Sequence, residues 1–322
     1  MSALAAVLDV GGVEVARLLA CVEERMAQVA ESHGPLLARY AGETISAGGK
    51  RLRPLLLCLA AGVPPPESED LVGAAAAVEL VHAASLVHDD VLDAAALRRG
   101  RPTVVASGGR ALATATGDLL FSRAFALLAG GERAPVQAVR ILSRASSQLA
   151  VGELLQRADA FKLGVSVERY LERCRLKTAV LFRAASELGA LLAGGDGERL
   201  GRFAEQIGLA FQILDDVLDV IGSPEETGKP RGTDLLDGTV TLPLILARET
   251  EPRLEQVELR SLRGAADVAA VCELIAGSGA PARAREQALG LVSEAKAQLP
   301  ELPARQRAAL ELVADGVVER YS

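Results

Sequence analysis

The chain has 322 residues, with 35 Lys and Arg against 42 Asp and Glu, and its net charge is −7. An acidic chain without a long basic run is a poor candidate for a general nucleic-acid binder, and a hydrophobic content of 50% excludes wholesale disorder. The sequence contains no Trp, three Tyr and six Phe. Its core therefore has to be built from Ala, Leu, Val and Ile.

The distribution of Gly and Pro divides the chain into segments of about 10–30 residues, each suited to a helix. Apolar residues recur at three- and four-residue spacing in these segments, and no convincing alternating pattern indicates strands. Ser166 is predicted to cap a helix over residues 167–192, and Pro54 to start another helix. No low-complexity linker divides the chain, so we predict an all-α protein with one domain over residues 1–322.

The thiols and the apolar runs indicate a compartment. The chain has four cysteines: Cys21, Cys58, Cys174 and Cys272. They are far apart and show no CxxC spacing, which favours buried thiols in a reducing cytosol over disulfides or metal ligands. The N-terminus lacks the pattern of a secretory signal. The longest apolar run, residues 71–87, contains Glu79 and His82, so we expect no transmembrane segment and a cytoplasmic protein.

An acidic pentapeptide, Asp-Asp-Val-Leu-Asp, occurs at residues 89–93 and again at 215–219, each time late in an apolar helical run. Positions i and i+4 share a helix face, so two pairs project together: Asp89 with Asp93, and Asp215 with Asp219. Like charges at that spacing repel, and the helix dipole near a C-terminus adds to the cost. Carboxylates without a nearby Cys or His pair favour Mg²⁺, which completes its shell with water and substrate phosphates. A solvated acidic face is the alternative, and a second copy weakens it.

Basic and polar residues accompany the clusters. The glycine-opened segment 48–54 carries Lys50 and Arg53 at a helix start, which suits a diphosphate, although a surface patch is the alternative. His82 lies two turns before Asp89 on the same helix face, as a ligand or as a core histidine. Further candidates along the chain are Arg98, Arg99, Lys177, Thr178, Gln212 and Lys229. Since the chain has only five lysines, those retained hint at a need for a compact ammonium group.

Together these motifs resemble those of the trans-isoprenyl diphosphate synthases, the polyprenyl synthetase family. The resemblance runs from about residue 48 to 243. It is carried by GGKRLRP (48–54), HDDVLDAAALRRGRPT (88–103), GDLLF (117–121), LKTA (176–179), FQILDDVLD (211–219) and GTDLLDGTVTLP (232–243). It implies a single large helical bundle around a central cavity, usually a homodimer. It also implies the Mg²⁺-dependent, head-to-tail condensation of isopentenyl diphosphate with an allylic diphosphate.

The resemblance also implies roles for individual residues. Mg²⁺, three ions with substrate bound, would be held by the acidic pairs Asp89, Asp93, Asp215 and Asp219. Isopentenyl diphosphate would be bound by Lys50, Arg53, His82 and Arg99. The allylic partner would be held by Arg98, Lys177, Thr178, Gln212 and Lys229. Thr239 stands where the family often has Lys, so one diphosphate contact is expected to be weaker or to come from Arg231.

Product length is the least constrained feature. Short-chain members of the family have a bulky aromatic residue four or five positions before the first cluster, where this chain has Ser85 and Ala84. Val81 narrows the same helix face but has no ring. The face from Ser85 down to Ala74 spans roughly 16 Å of helix. We therefore predict an all-trans product longer than C15, and C30 or more.

Three other functions fit the sequence less well. A terpene cyclase or head-to-head synthase shares the fold but normally lacks the second cluster and the GGKRLRP segment. A non-catalytic partner subunit of a heteromeric synthase usually loses the aspartates, and all six remain here. A plain helical interaction protein explains neither cluster.

Overall fold

A computed structural model of the chain describes residues 3–32, 34–46, 49, 51–98, 100–223 and 230–319. The helices are α1 (Ala3–Gly11), α2 (Val13–Glu31), α3 (Pro35–Ser46), α4 (Leu52–Ala61), α5 (Glu69–Asp93), α6 (Val104–Ala129), α7 (Pro135–Asp159), α8 (Val167–Cys174), α9 (Val180–Ala193), α10 (Gly197–Ile221), α11 (Thr233–Leu236), α12 (Leu242–Arg248), α13 (Ala265–Gly277), α14 (Ala280–Ala297) and α15 (Ala304–Glu319). A π-helix, Arg175–Ala179, joins α8 to α9, and 3₁₀ turns occupy Pro252–Gln256 and Leu259–Ser261. Two short strands, β1 (Leu97–Arg98) and β2 (Arg101–Pro102), pair antiparallel.

The chain forms two compact units. The first comprises Met1–Ser146, Leu181–Ala204 and Leu299–Val313, and the second Ser147–Val180, Glu205–Gln298 and Ala314–Ser322. Both are built of helices, which confirms the predicted all-α class. The single domain over 1–322 stays a prediction.

Helix α5 is the centre of the first unit and packs against α2, α3, α4 and α6. It is buried along most of its length because its sequence has small apolar residues on every face, including four consecutive alanines, Ala74–Ala77. Small side chains let neighbouring helices approach closely: the α-carbon of Gly117 on α6 leaves room for the ring of His88 on α5. Close helix packing thus replaces the missing aromatic bulk.

The end of α5 is set by local backbone geometry directly after the first acidic cluster. Ala94 takes up the left-handed conformation, with φ of 51°, and the amide of Ala95 bonds the carbonyl of Asp90 at 3.0 Å. The hairpin β1–β2 follows, and Thr103 caps α6 by accepting the amide of Ala106. These turns fix the hairpin close to the last turn of α5.

The second unit contains α8, the π-helix and the later part of α10. Ser166 caps α8 by accepting the amide of Arg169, which confirms the predicted cap. Residues 167–192 are helical throughout, as predicted, with a π-helical turn at Arg175–Ala179 between α8 and α9. Helix α12 packs against α8, α13 and α14. Pro54, expected to start its helix, lies at the third position of α4 in the first unit.

In the part of the chain that the structure describes, two helices, α5 and α6, are long and apolar enough to cross a membrane, and the bent pair α13–α14 passes the same test as one broken span. In α5, 78% of the most apolar stretch is buried within the protein, whereas only 33% is buried in α6. The expected absence of a transmembrane segment therefore stays a prediction.

The contact between α4 and α9 in the first unit depends on Gly189. A β-carbon at this position would lie 2.1 Å from the carbonyl oxygen of Leu57. We expect Gly189→Ala to lower the free energy of unfolding by about 1–3 kcal/mol, because one helix must move away from the other. The control is Gly290→Ala on α14, where no neighbouring atom lies within 4 Å. Denaturant unfolding should show the control unchanged or slightly stabilised, and equal stability of the two variants would contradict the prediction.

Candidate functional site

The first acidic cluster occupies the last turn of α5. Asp89 is half-buried and Asp93 is exposed, one helical turn apart. The middle residue, Asp90, is buried. It accepts hydrogen bonds from Nε (2.9 Å) and Nη2 (2.8 Å) of Arg98, which lies on strand β1. Burial raises the pKa of Asp90, and the hydrogen bond and charge of Arg98 oppose that rise. Asp90 is thus committed to orienting Arg98.

A pocket of about 270 Å³ in the first unit adjoins this cluster. Its polar lining is mostly charged: Arg39, Glu43, Arg51, Glu79, His82, Asp90, Arg98 and Arg101. The structure therefore brings two predicted residues, His82 and Arg98, to one pocket. Arg53 is not in the lining, and its guanidinium lies 4.6 Å from the ring centre of Phe182. Lys50 and Arg99 lie outside the described residues.

Sequence reasoning missed the ion pair that supports this pocket. Arg51 donates to Glu79 at 2.9 Å, to Glu23 and to the carbonyl of Ile45. Glu79 is buried in the middle of α5. A charge inside an apolar helical run needs a partner when it is buried, so Glu79 was the available signal. Its partner, 28 residues earlier, could not be read from spacing.

The second acidic cluster lies on α10 in the second unit. Asp215 is half-buried, whereas Asp216 and Asp219 are buried. The Oδ2 atom of Asp219 accepts a hydrogen bond from the backbone amide of Asp234 at 3.2 Å. The backbone carbonyl of Asp219 accepts a hydrogen bond from the amide of Gly232 at 2.8 Å. Asp219 therefore fixes the segment before α11, and Asp215 is the more accessible carboxylate of the pair.

Asp216 belongs to a hydrogen-bonded chain of four side chains. The hydroxyl of Tyr170 donates to Oδ2 of Asp216 at 2.7 Å, and Nε2 of Gln212 donates to Oδ1 at 2.7 Å. The hydroxyl of Thr178 donates to Oε1 of Gln212, also at 2.7 Å. Burial raises the pKa of Asp216, and the hydrogen bonds from Tyr170 and Gln212 oppose it. The structure thus joins two predicted residues, Thr178 and Gln212, to two that sequence reasoning did not assign.

The π-helix Arg175–Ala179 carries Lys177 and Thr178. Such insertions are frequent at functional sites because the extra residue redirects side chains. Gly152 on α7 makes room for the bulge, since a β-carbon there would lie 2.6 Å from the amide nitrogen of Lys177. The ammonium of Lys177 pairs with Glu153 at 2.5 Å. Burial alone would raise the pKa of Glu153, but the charges of Lys177 and Arg157 hold it below its ordinary value.

The remaining predicted residues show mixed placement. Ser85 is half-buried, and its hydroxyl donates to the carbonyl of His82 at 2.8 Å. Ala84 and Val81 are fully buried. Arg231, considered as a substitute for the family's lysine, instead donates to the carbonyl of Val220 and pairs with Glu273. Lys229 lies outside the described residues.

The donor set is compatible with Mg²⁺. Among the described residues, no group of three or more His, Cys, Asp or Glu side chains forms a ready metal cage. Mg²⁺ rarely needs one, because one or two carboxylates with water and phosphate oxygens satisfy it. Asp89 with Asp93, and the accessible Asp215, offer such partial oxygen ligation.

Comparison with known proteins gives consistent matches. A family model described as polyprenyl synthetase matches residues 34–276. Component 2 of heptaprenyl diphosphate synthase from Geobacillus stearothermophilus is 42% identical over 236 residues, covering 72% of this chain and 73% of the relative. A short chain isoprenyl diphosphate synthase from Methanothermobacter thermautotrophicus is 37% identical over 293 residues, covering 88% of this chain and 90% of the relative. The crystal structure of a polyprenyl synthase from Caulobacter crescentus, complexed with calcium and isoprenyl diphosphate, superposes on this chain with a TM-score of 0.90. The two sequences are 38% identical, and the superposition covers 99% of this chain and 98% of the Caulobacter chain.

The contact of Gly152 with the π-helix can be tested directly. We expect Gly152→Ala to push the backbone at Leu176 and Lys177 away and to destabilise the protein by about 1–3 kcal/mol. Hydrogen-exchange mass spectrometry should show faster amide exchange in 175–179. The control is Gly164→Ala, because no neighbouring atom lies within 4 Å of a β-carbon there. Unchanged exchange in 175–179 of Gly152→Ala would show that the close contact is dispensable.

Proposed function

Because the chain belongs to the polyprenyl synthetase family and is a trans-prenyltransferase, we propose that it condenses isopentenyl diphosphate with an allylic diphosphate, head to tail. The products are an all-trans polyprenyl diphosphate and diphosphate. One observation supports the proposal beyond the family match. In each acidic cluster the middle aspartate is buried and orients a polar side chain, Arg98 in one case and Gln212 in the other. The outer aspartates Asp89, Asp93 and Asp215 are half-buried or exposed and so remain accessible.

The reaction needs ionisation of the allylic substrate. The C1–O bond breaks, its electron pair leaves with the diphosphate, and C1 becomes a carbocation. Asp89, Asp93, Asp215 and Asp219 are proposed to hold Mg²⁺, which would supply positive charge to the leaving diphosphate. Arg98, Lys177 and Lys229 are proposed to bind and orient the same diphosphate. The complex of the Caulobacter polyprenyl synthase with calcium and isoprenyl diphosphate supports this ligand chemistry.

Carbon–carbon bond formation follows. Isopentenyl diphosphate, proposed to be held by Lys50, Arg53, His82 and Arg99, attacks C1 of the cation with the terminal carbon of its double bond. A proton then leaves C2 of the former isopentenyl unit, and the released diphosphate is the proposed acceptor. The oxygens of Thr178 and Gln212 stabilise the cation without attacking it. Water has to be excluded, because it would quench the cation to an alcohol.

We propose a cytoplasmic homodimer. All four cysteines are free thiols, which supports a reducing compartment. Helix α6 is apolar, and only a third of its most apolar stretch is buried, which supports a second copy of the chain as its cover. The name of the Geobacillus relative, a component 2, favours a second candidate: one component of a two-chain synthase.

We expect the purified chain alone to convert isopentenyl diphosphate and an allylic primer into a longer product and diphosphate in the presence of Mg²⁺. Chelation should abolish this activity, and Asp89→Asn should lower kcat about 100-fold or more, because leaving-group charge is left uncompensated. The control is Asp9→Asn on α1. Sedimentation of the active sample should show a dimer. Activity only after addition of a second protein would favour the two-chain candidate, and full activity of Asp89→Asn would contradict the proposed metal site.

Product length is proposed to exceed C15 and to reach C30 or more. Half-buried Ser85 without an aromatic neighbour in the sequence supports this, as does the name heptaprenyl of one relative, although another relative is named short chain. We expect Ser85→Phe to shorten the product, because a ring would occupy the space beside the first cluster. Ser85→Ala, the control, should leave length unchanged. Chromatography of the dephosphorylated products decides, and a wild-type product confined to C15 or an unchanged length in Ser85→Phe would refute the proposal.

A further inference from the structure

The hydrogen-bonded chain in the second unit has a fixed direction. Tyr170 Oη and Gln212 Nε2 both donate to the carboxylate of Asp216, one to each oxygen. An ionised carboxylate can only accept, so Gln212 must turn its amide nitrogen towards Asp216. Its carbonyl oxygen then points to Thr178. Because an amide oxygen can only accept, the hydroxyl hydrogen of Thr178 is committed to Gln212.

This direction decides what Thr178 offers a substrate. With its hydrogen donated to Gln212 at 2.7 Å, the hydroxyl has only oxygen lone pairs left to present. A carbocation is stabilised by lone pairs and is repelled by a hydroxyl hydrogen. The carboxylate of Asp216 therefore determines, through the amide of Gln212, which way the hydroxyl of Thr178 points. Thr178 is the residue proposed to face the cation.

We infer that Asp216 is a positioning residue that sets the orientation of the Gln212 amide and, through it, turns the lone pairs of Thr178 towards the reacting allylic carbon. The inference rests on the proposed prenyl transfer. Tyr170 holds the second carboxylate oxygen, and both side chains are buried, Tyr170 fully and Asp216 with 4% of its surface exposed. Burial keeps water away from the carboxylate of Asp216 and from the hydroxyl of Tyr170. Asp216 itself touches no substrate and acts through Gln212.

The substitution Asp216→Asn should reverse the chain without changing its shape. We expect the Tyr170 hydroxyl to keep donating to the carbonyl oxygen that remains at position 216, so that the new amide nitrogen faces Gln212. The Gln212 amide then has to rotate so that its oxygen accepts from position 216 and its nitrogen donates to Thr178. The hydroxyl hydrogen of Thr178 is displaced and turns outward. We expect kcat to fall about 10- to 100-fold at saturating Mg²⁺, with KM for both substrates changed less than about threefold.

A charge exchange provides the rescue. In Asp216→Asn/Gln212→Glu the carboxylate moves to position 212, where it can accept from both position 216 and Thr178, so the hydroxyl hydrogen is again directed inwards. We expect this double variant to regain at least about threefold in kcat over Asp216→Asn. Tyr170→Phe removes the other donor but leaves the Gln212 amide in place, so its kcat should fall much less than that of Asp216→Asn. Thermal unfolding of each variant confirms that it is folded.

The readouts separate the outcomes. The ratio of prenyl alcohol to elongated product should rise in Asp216→Asn, because a less stabilised cation is captured by water. Retention of kcat within about threefold in Asp216→Asn, no gain in the double variant, or a loss that higher Mg²⁺ concentration fully restores would each overturn the inference. Failure of the wild-type chain to transfer a prenyl group would instead overturn the proposed function.

Discussion

Both acidic clusters depend on a carboxylate that is removed from water and supplied with donors by the protein. Asp90 accepts hydrogen bonds from two guanidinium nitrogens of Arg98. Asp216 accepts hydrogen bonds from the phenol of Tyr170 and the side-chain amide of Gln212. Burying a charge without partners is costly, so each carboxylate selects the one arrangement of its neighbours that satisfies it. The outer aspartates Asp89, Asp93 and Asp215 can then remain accessible, because the middle one holds the local structure in place.

The scaffold around these carboxylates uses backbone proximity in place of large side chains. Helices α4 and α9 meet at Gly189, and the π-helix lies against Gly152. At these two glycines the backbone of one helix lies directly against the backbone of its neighbour. A backbone cannot rotate away as a side chain can, so the two helices are held at a fixed distance. In the second unit this places Lys177 and Thr178 more firmly than a contact between flexible side chains would.

The predictable part of the structure was local. Helix periodicity identified the all-α class, Ser166 was recognisable as a cap from its type and place, and four-residue spacing paired the outer aspartates. The missed features depend on residues far apart in sequence: Tyr170 reaches Asp216 across 46 positions, and Arg51 reaches Glu79 across 28. The π-helix was missed because one inserted residue barely disturbs an apolar pattern. The roles of all the predicted site residues still rest on resemblance, and Lys50, Arg99 and Lys229 also lie outside the described residues.

The ion pair of Lys177 with Glu153 has a consequence for ligand exchange. A diphosphate that reaches Lys177, as proposed, meets an ammonium already neutralised by an internal counter-ion, so its arrival swaps one anion for another. The net electrostatic gain on binding is smaller than for an isolated cation. The same balance favours departure, because Glu153 recaptures the ammonium as the inorganic product leaves. With the repeated elongation proposed above, such a paired cation would lessen inhibition by the diphosphate released in every cycle.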